Sequence, residues 1–163
     1  MINKTLNDFI NICVLLNLNK IKYCVIRIPT EDRGNDFEID ILINKSYVDN
    51  LRTLLPYPEF SYCMDGNDTH HHFRRNEIHL DFTTSLSYGK NGEYTIGDID
   101  NVINRAILKD DIYFACSIDE FQMLLLHSLF NKRSFTKHSG KIFNLMDTIG
   151  EEICIKMMSK ILS

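Results

Sequence analysis

The sequence predicts an α+β fold with α/β-like features, in which a small mixed β-sheet is flanked by helices and followed by a helical C-terminal third. Three observations indicate this class. Apolar residues recur at helical spacing near the N-terminus, short strand-like runs follow between residues 21 and 86, and helical spacing returns after Ser117. We expect one domain over residues 1–163, with a helical extension over about 117–163, because this length suffices for a substantial core.

The first helix is predicted to begin at Thr5, whose hydroxyl suits an N-cap, and to end near residues 17–19. Its apolar face consists of Leu6, Phe9, Ile10, Cys13 and Leu16. A strand is then expected over residues 21–28, which are rich in β-branched side chains, and a second strand over residues 37–43. The polar residues 29–35 between them include a proline and a glycine, which predicts a loop.

A short helix is predicted from Ser46 to Leu55, because Asp49 follows Ser46 by three residues and prolines at 56 and 58 end the pattern. The segments that follow are predicted to be a strand at 60–63, a turn at 65–68, and a hairpin of strands at 70–75 and 77–86.

The last part of the chain is predicted to be mainly helical. Ser117 and Glu120 have the spacing of a capping box, and Gly150 separates two further helices. The predicted segments are a turn at 89–92, a helix at 99–108, an extended segment at 112–117, and helices after 117, at about 137–149 and at 151–162.

Composition excludes several classes of protein. The formal net charge of −4 argues against a protein that binds nucleic acid mainly through a basic surface. The longest apolar runs, such as residues 123–126, are too short to cross a bilayer, and the first ten residues lack the apolar core of a secretory signal. The five cysteines are scattered and never spaced as CxxC, which is typical of reduced thiols. We therefore expect a cytoplasmic protein without membrane insertion.

The second predicted strand carries acids at alternate positions. Glu38 and Asp40 share one face of the strand, as does Asp36 if the strand extends back to it. Two carboxylates about 4 Å apart repel by roughly 4 kcal/mol at an effective dielectric constant near 20. The charges either lie on a solvated edge of the sheet, where they discourage aggregation, or they bind cations.

A later strand carries one more acid between apolar neighbours, Asp81 between Leu80 and Phe82. If the two strands are neighbours in the sheet, Asp81 joins Glu38 and Asp40. Three convergent carboxylates form an oxygen-rich site that suits Mg²⁺ or Mn²⁺. A pair of such ions would hold a nucleoside triphosphate, activate an acceptor hydroxyl and stabilise the pyrophosphate leaving group.

The histidines near this strand have two interpretations. His70 and His72 share a strand face, and His79 shares one with Asp81, and imidazoles with a carboxylate can bind zinc, as in a metal hydrolase. No motif spacing defines a three-ligand set. The alternative interpretation is that these side chains, together with His71 in the same run, are polar strand positions along the acidic pocket, where a histidine contacts phosphate or base.

Basic side chains are candidates for binding the triphosphate oxygens. We expect Arg27, with one or two of Lys132, Arg133 and Lys137, to face the acids and bind phosphate. The alternative for most of these charges is simple solvation, and a helix C-terminus also favours Lys132 and Arg133.

These residues together resemble a known superfamily. An acid-x-acid strand followed by a lone acid on a later strand is similar to the DNA polymerase β-like nucleotidyltransferases. The blocks "YCVIRIP…RGNDFEIDILI", "HHHF…EIHLDF" and "SIDEFQMLLLHSLFNK" resemble small nucleotidyltransferase-like proteins often found with bacterial surface-glycan genes. The resemblance covers roughly residues 20–145.

The resemblance implies a fold, an activity and residue roles. Glu38 and Asp40 would be paired ligands of Mg²⁺ or Mn²⁺, and Asp81 the third carboxylate, placed to help deprotonate the acceptor hydroxyl. The protein would move a nucleoside monophosphate from a nucleoside triphosphate to a hydroxyl or phosphate acceptor, such as a small molecule or glycan precursor. The nucleotide base, the acceptor and the oligomeric state stay open.

The chain departs from the superfamily pattern at one element. The superfamily has a Gly-Gly or Gly-Ser pair about ten residues before the acids, whose backbone N–H groups cradle the triphosphate. Here Arg27, Ile28 and Pro29 occupy that place, and proline has no N–H. Arg33, with Gly34 and Asn35, is a candidate substitute for binding phosphate. The departure keeps a second hypothesis open: a non-catalytic relative that binds nucleotide or a protein partner.

Overall fold

A computed structural model describes residues 2–28, 37–56, 58–65, 68–90, 92–95, 97–136 and 138–162. It confirms the predicted α+β class, with helices and a mixed sheet in these ranges. The chain forms two compact units. The first comprises Met1–Ser85 and Asp98–Phe114, and the second comprises Leu86–Gly97 and Ala115–Ser163.

The helices and strands alternate irregularly along the chain. The helices are α1 (Ile2–Leu18), α2 (Val48–Leu54), α3 (Ile99–Asn104), α4 (Ser117–Leu126), α5 (Ser139–Ile149) and α6 (Glu151–Leu162). The strands are β1 (Tyr23–Arg27), β2 (Phe37–Ile43), β3 (Ser61–Met64), β4 (His70–Arg75), β5 (Ile78–Thr83), β6 (Ser87–Tyr88), β7 (Tyr94–Thr95), β8 (Ile107–Lys109) and β9 (Ile112–Phe114). None of the helices among the described residues has the length and apolar character needed to cross a membrane.

The first unit is built on a seven-stranded mixed sheet with the strand order β3-β4-β5-β2-β1-β9-β8. Strand β2 pairs antiparallel with β1 and parallel with β5, so it lies in the middle of the sheet. The hairpin of β4 and β5 predicted from the sequence is confirmed, and β3 extends it at the edge.

One face of this sheet packs into the hydrophobic core of the first unit. Ile39 and Ile41 of β2 and Leu80 and Phe82 of β5 are completely buried there. Helix α1 contributes its predicted apolar face to the same core. Since side chains alternate across a strand, the residues between these core positions point to the opposite face of the sheet.

Several predicted element ends are wrong by a few residues. Helix α1 begins at Ile2, so Thr5 lies inside it, where its hydroxyl donates to Glu77 instead of capping the helix. Asn44 caps a 3₁₀ turn before α2, in place of Ser46. Helix α3 is shorter than predicted, and Ile107–Lys109 form strand β8, because these residues pair with β9.

The second unit contains helices α4, α5 and α6. Helix α4 has Cys116 at its N-cap position and Ser117 as its first residue, so the predicted serine cap is wrong. After Leu126 the helix continues as a π-helical segment, His127–Lys132, which the sequence did not predict. The core of this unit consists of Phe121, Leu125, Ile142, Leu145 and Cys154.

Candidate functional site

The two acid-bearing strands are neighbours, as the sequence predicted. Strands β2 and β5 run parallel, with Asp40 opposite Asp81 and Glu38 opposite His79. All four side chains therefore point away from the face of the sheet that the core residues of β2 and β5, such as Ile39 and Leu80, occupy. The placement of Asp81 beside the acid pair is the condition on which the predicted cation site depended.

The three carboxylates converge. One oxygen from each of Glu38, Asp40 and Asp81 lies within 4.8 Å of the others. Strand β2 is hydrogen-bonded on both sides, so its acids are not the solvated edge charges that the alternative interpretation required. The side chains are 39%, 22% and 13% exposed, respectively, so two of them are largely removed from water.

Arg27 is the cation that faces these acids. Its Nε lies 2.8 Å from Asp40 Oδ2, and its Nη2 lies 3.6 Å from Glu38 Oε2. The prediction that Arg27 faces the acids is confirmed, and its partners in this structure are the carboxylates themselves.

A β-bulge in β1 gives Arg27 this orientation. Val25 pairs with Ile41, but Arg27 pairs with Asp40, so the register shifts by one residue between them. In a regular strand Ile26 would lie opposite Asp40 and Arg27 would point into the core. The extra residue reverses the face of every side chain after it, because strand side chains alternate with a period of two.

The electrostatic environment of Asp40 disfavours its charged form. The pKa of Asp40 is raised to about 6, chiefly by burial; the charges of Asp81 and Glu38 also raise it, and Arg27 lowers it. Ionised Asp40 is thus unfavourable in the metal-free protein, and a bound cation would stabilise its negative charge.

Asp81 has a histidine partner. His70 Nδ1 lies 3.0 Å from Asp81 Oδ2 and 3.1 Å from Asp81 Oδ1. The hydrogen bond to Asp81 raises the pKa of His70, so the imidazole binds its proton more tightly than a free histidine does. The pair is therefore an imidazole hydrogen-bonded to a carboxylate.

Two further histidines extend the polar cluster. His72 Nδ1 lies 3.0 Å from His79 Nε2, and His79 Nδ1 lies 3.3 Å from Glu38 Oε1. Burial lowers the pKa of His79, since a charged imidazole is poorly solvated at this position. We call this surface the acid–histidine face; it comprises Glu38, Asp40, His70, His72, His79 and Asp81.

The middle histidine of the run belongs to the other side of the sheet. His71 is 1% exposed, and its Nδ1 lies 2.9 Å from the hydroxyl of Tyr62, whose ring stacks on the imidazole. Burial lowers the pKa of His71, which favours the neutral ring. The alternation of the strand thus separates His71 from His70 and His72.

Several predicted site residues lie outside the described ranges or in the second unit. Arg33 and Lys137 lie outside the described residues, as does Asp36. Lys132 ends the π-helical segment of the second unit, where it is exposed. The phosphate-binding roles predicted for these residues stay predictions.

Sequence reasoning did not identify Asp65 as part of the cluster. Its Oδ1 lies 3.3 Å from His72 Nε2, at the start of the turn that leads into β4. The signal was weak, because an acid in a turn is common whatever the neighbouring strand carries. Only the pairing of β3 with β4 brings Asp65 beside His72.

Comparison of the chain with protein-family models and with curated proteins finds no match. The geometry of the acid–histidine face and the motif pattern are therefore the features that point to a function.

Proposed function

We propose that this protein is a metal-dependent nucleotidyltransferase that moves a nucleoside monophosphate from a nucleoside triphosphate to a hydroxyl or phosphate acceptor. The observation that supports the proposal is the convergence of Glu38, Asp40 and Asp81 on one face of neighbouring strands. This is the arrangement that the resemblance to polymerase β-like nucleotidyltransferases implies for a catalytic site.

The donor set suits a hard divalent cation. Three carboxylates offer oxygen atoms within 4.8 Å of one another, and Mg²⁺ and Mn²⁺ prefer oxygen ligands. Glu38, Asp40 and Asp81 would hold the ion or ions, which would neutralise charge on the phosphates and stabilise the leaving group. The raised pKa of Asp40 is consistent with such a site, since a cation offsets the burial and repulsion that cause it.

Asp81 is the proposed acceptor of the proton. In the reaction, the acceptor oxygen forms a bond to the α-phosphorus, the bond from that phosphorus to the β-phosphate oxygen breaks, and pyrophosphate leaves. The proton of the acceptor hydroxyl passes to Asp81. His70, at 3.0 Å, orients the Asp81 carboxylate and offers a path for the proton away from the site.

Arg27 is the proposed contact for the triphosphate. Its guanidinium group already lies among the carboxylates, 2.8 Å from Asp40, and is close enough to exchange a carboxylate oxygen for a phosphate oxygen. An arginine side chain would then replace the backbone N–H groups that a Gly-Ser pair supplies. The acceptor class, a glycan precursor, follows from the resemblance alone, and the proposal places the protein in the cytoplasm, where thiols stay reduced.

Calorimetry tests the proposal. Titration of the purified protein with each nucleoside triphosphate should show binding that requires Mg²⁺. Asp40→Asn and Asp81→Asn should each weaken the metal-dependent binding by about tenfold or more, in line with the loss of a metal ligand or of a group that supports one. Asp49→Asn is the matched control, because Asp49 is 92% exposed on helix α2 and is not part of the ligand set.

The result that would overturn the proposal is specific. If Asp40→Asn and Asp81→Asn both bind metal and nucleotide as the unmodified protein does, the three carboxylates are not a catalytic metal site.

A second candidate function is binding of nucleotide without catalysis. The observation that favours it is the pairing of Arg27 with Asp40 and Glu38, which supplies a fixed positive charge where the first proposal needs a cation. Nucleotide binding without pyrophosphate release, over a panel of sugar and phosphate acceptors, would support this second function against the first.

A further inference from the structure

We propose that Glu38, His72 and His79 form a second cation site, of a kind that selects zinc or a similar transition metal, next to the three carboxylates. The sequence indicated His70, His72, His79 and Asp81 as possible zinc ligands without defining a set of three. The inference goes beyond the proposed function and does not depend on it, because it requires neither nucleotide nor Mg²⁺.

The geometry of the three side chains carries the inference. One donor atom from each of Glu38, His72 and His79 lies within 4.8 Å of the others. The closest pair is His72 Nδ1 and His79 Nε2, at 3.0 Å. Two nitrogen ligands of a tetrahedral zinc ion, with bonds of about 2.0–2.1 Å, are about 3.3 Å apart. The nitrogen pair therefore needs to open by only about 0.3 Å to reach the spacing of two zinc ligands.

Asp65 fixes the ring of His72 in the orientation that a ligand needs. His72 Nε2 lies 3.3 Å from Asp65 Oδ1, and a carboxylate can only accept a hydrogen bond there. The proton of the neutral ring is then on Nε2, and the lone pair of Nδ1 points toward His79. A carboxylate behind a ligating histidine is a recurrent feature of metal sites, where it sets the tautomer and raises the basicity of the ligand.

The chemistry of the donors separates the two sites. Imidazole nitrogen suits zinc, copper, iron and nickel, whereas carboxylate oxygen alone suits magnesium and manganese. Glu38 belongs to both sets, so it is the one side chain that would contact both cations. Asp81 is a neighbouring group, with its Oδ1 3.6 Å from His72 Nδ1.

Burial gives the nitrogen pair a partly dry environment that still opens to solvent on one side. The side chains of His79 and His72 are 6% and 14% exposed, and that of Glu38 is 39% exposed. Ligands that water does not reach hold a cation more strongly, and the exposed carboxylate supplies the route of entry. Three protein ligands with one open side are typical of catalytic zinc sites rather than structural ones.

The metal alone is the probe. The full chain, prepared without a polyhistidine tag and stripped with EDTA, is titrated with Zn²⁺ by calorimetry and with Co²⁺ by visible absorption. We expect a single equivalent to bind, with the strong absorption of four-coordinate cobalt. His72→Ala and His79→Ala should each weaken zinc affinity by more than about tenfold, and Asp65→Asn by about tenfold.

His70→Ala is the matched control, since His70 lies on the same strand and the same face as His72 but outside the ligand set. Its zinc affinity should fall much less than that of His72→Ala, because the ring of His70 stacks on the ring of His72 but supplies no ligand atom. Circular dichroism melts show whether each variant folds. Asp65→Asn provides a second test that removes no ligand.

Two results would overturn the inference: no saturable zinc binding by the folded protein, or loss of zinc affinity in His70→Ala as large as in His72→Ala. The zinc titration contains no nucleotide, so its failure is distinguishable from a failure of the proposed nucleotidyl transfer. A failure of the proposed nucleotidyl transfer is likewise distinguishable from a failure of the zinc site. Asp40→Asn should lower Mg²⁺-dependent nucleotide binding and leave the affinity for zinc unchanged.

Discussion

The charge of Asp40 is subject to opposing effects from the groups around it. Arg27, at 2.8 Å, favours the charged carboxylate, whereas burial, Asp81 and Glu38 disfavour it. The pKa of about 6 shows that burial and repulsion together exceed the attraction of Arg27. The ionised carboxylate therefore lowers the stability of the metal-free fold, which is typical of groups placed for function rather than for folding.

Replacement of Asp40 by Asn should stabilise the metal-free protein at pH 8. The rise in the pKa of Asp40 from its ordinary value near 4 to about 6 corresponds to about 3 kcal/mol against the charged form, and this net figure already includes the attraction of Arg27. We expect Asp40→Asn to raise the free energy of unfolding by about 3 kcal/mol, as measured by urea denaturation in EDTA.

The free energy of unfolding should depend on pH through the protonation of Asp40. The folded chain binds the Asp40 proton more tightly than the unfolded chain does, so its contribution to stability is fully present below about pH 4 and is lost as pH rises through about 6. The advantage of Asp40→Asn should therefore shrink from pH 8 to pH 4. A variant less stable than the unmodified protein at pH 8 would contradict this account, and Asp49→Asn should show no such trend.

The cysteines should differ sharply in their reactivity. Cys63 is exposed, whereas Cys13, Cys24 and Cys154 are completely buried. Burial raises the pKa of the Cys13 thiol to about 12, so at pH 8 almost none of it is the nucleophilic thiolate.

Alkylation with iodoacetamide at pH 8, followed by peptide mass spectrometry, should therefore modify Cys63 first and leave Cys13 unmodified until the protein is unfolded in urea. Modification of Cys13 at the rate of Cys63 in the folded protein would contradict the packing of α1 against the sheet.

At the scale of elements, the register between strands assembles the acid–histidine face. Pairing of β4 with β5 brings His72 opposite Asp81, and pairing of β5 with β2 brings Asp81 opposite Asp40. A slip of one residue in either pairing would move polar side chains into the core. The buried alternate residues of β2 and β5 therefore fix the register of the strands, and this register places the acids and histidines on the opposite face.

Helix α1 is the element whose packing is most easily tested. Phe9 is completely buried in the core of the first unit, whereas Leu18, at the end of the same helix, is 75% exposed. Phe9→Ala should lower the free energy of unfolding by about 4 kcal/mol, because it removes a buried ring and leaves a cavity.

Leu18→Ala should change the free energy of unfolding by less than about 0.5 kcal/mol, since it removes contacts that are mostly with water. Thermal and urea denaturation measure both variants. Equal losses in the two variants would show that α1 does not pack as described.

At the scale of the molecule, each compact unit has a hydrophobic core. The core of the second unit includes Phe121, Leu125 and Cys154, all of them almost completely buried. Leu125→Ala should cost about 3 kcal/mol within that unit.

Hydrogen exchange read by mass spectrometry locates this loss. We expect faster exchange in peptides of α4, α5 and α6, with protection retained in β2 and β5, because local stability follows local packing. An equal increase of exchange in β2 and β5 would show that the chain unfolds as a single cooperative unit.

Local patterns in the sequence determined much of the fold. The bounds predicted for β2 are those observed, because acids alternate with apolar residues over its first five positions and apolar residues continue to its end. The hairpin of β4 and β5 and the helices on either side of Gly150 were predicted for similar reasons. Element ends were less accurate, as at Thr5 and at β8, because tertiary packing and strand pairing override local propensity there.

The sequence by itself also determined which acids form the candidate site, since Glu38, Asp40 and Asp81 each lie between apolar neighbours on a strand. The sequence also indicated Arg27 and the neighbouring histidines as candidates, but only the tertiary structure decided which of their atoms contact which acids. The bulge in β1 turns Arg27 to the acids, and sheet pairing brings Asp65, His72 and Glu38 into one cluster. The physical reason is the sequence distance over which each feature is set. Alternation is a property of adjacent residues, whereas strand register and bulges depend on pairing with residues far away in the chain.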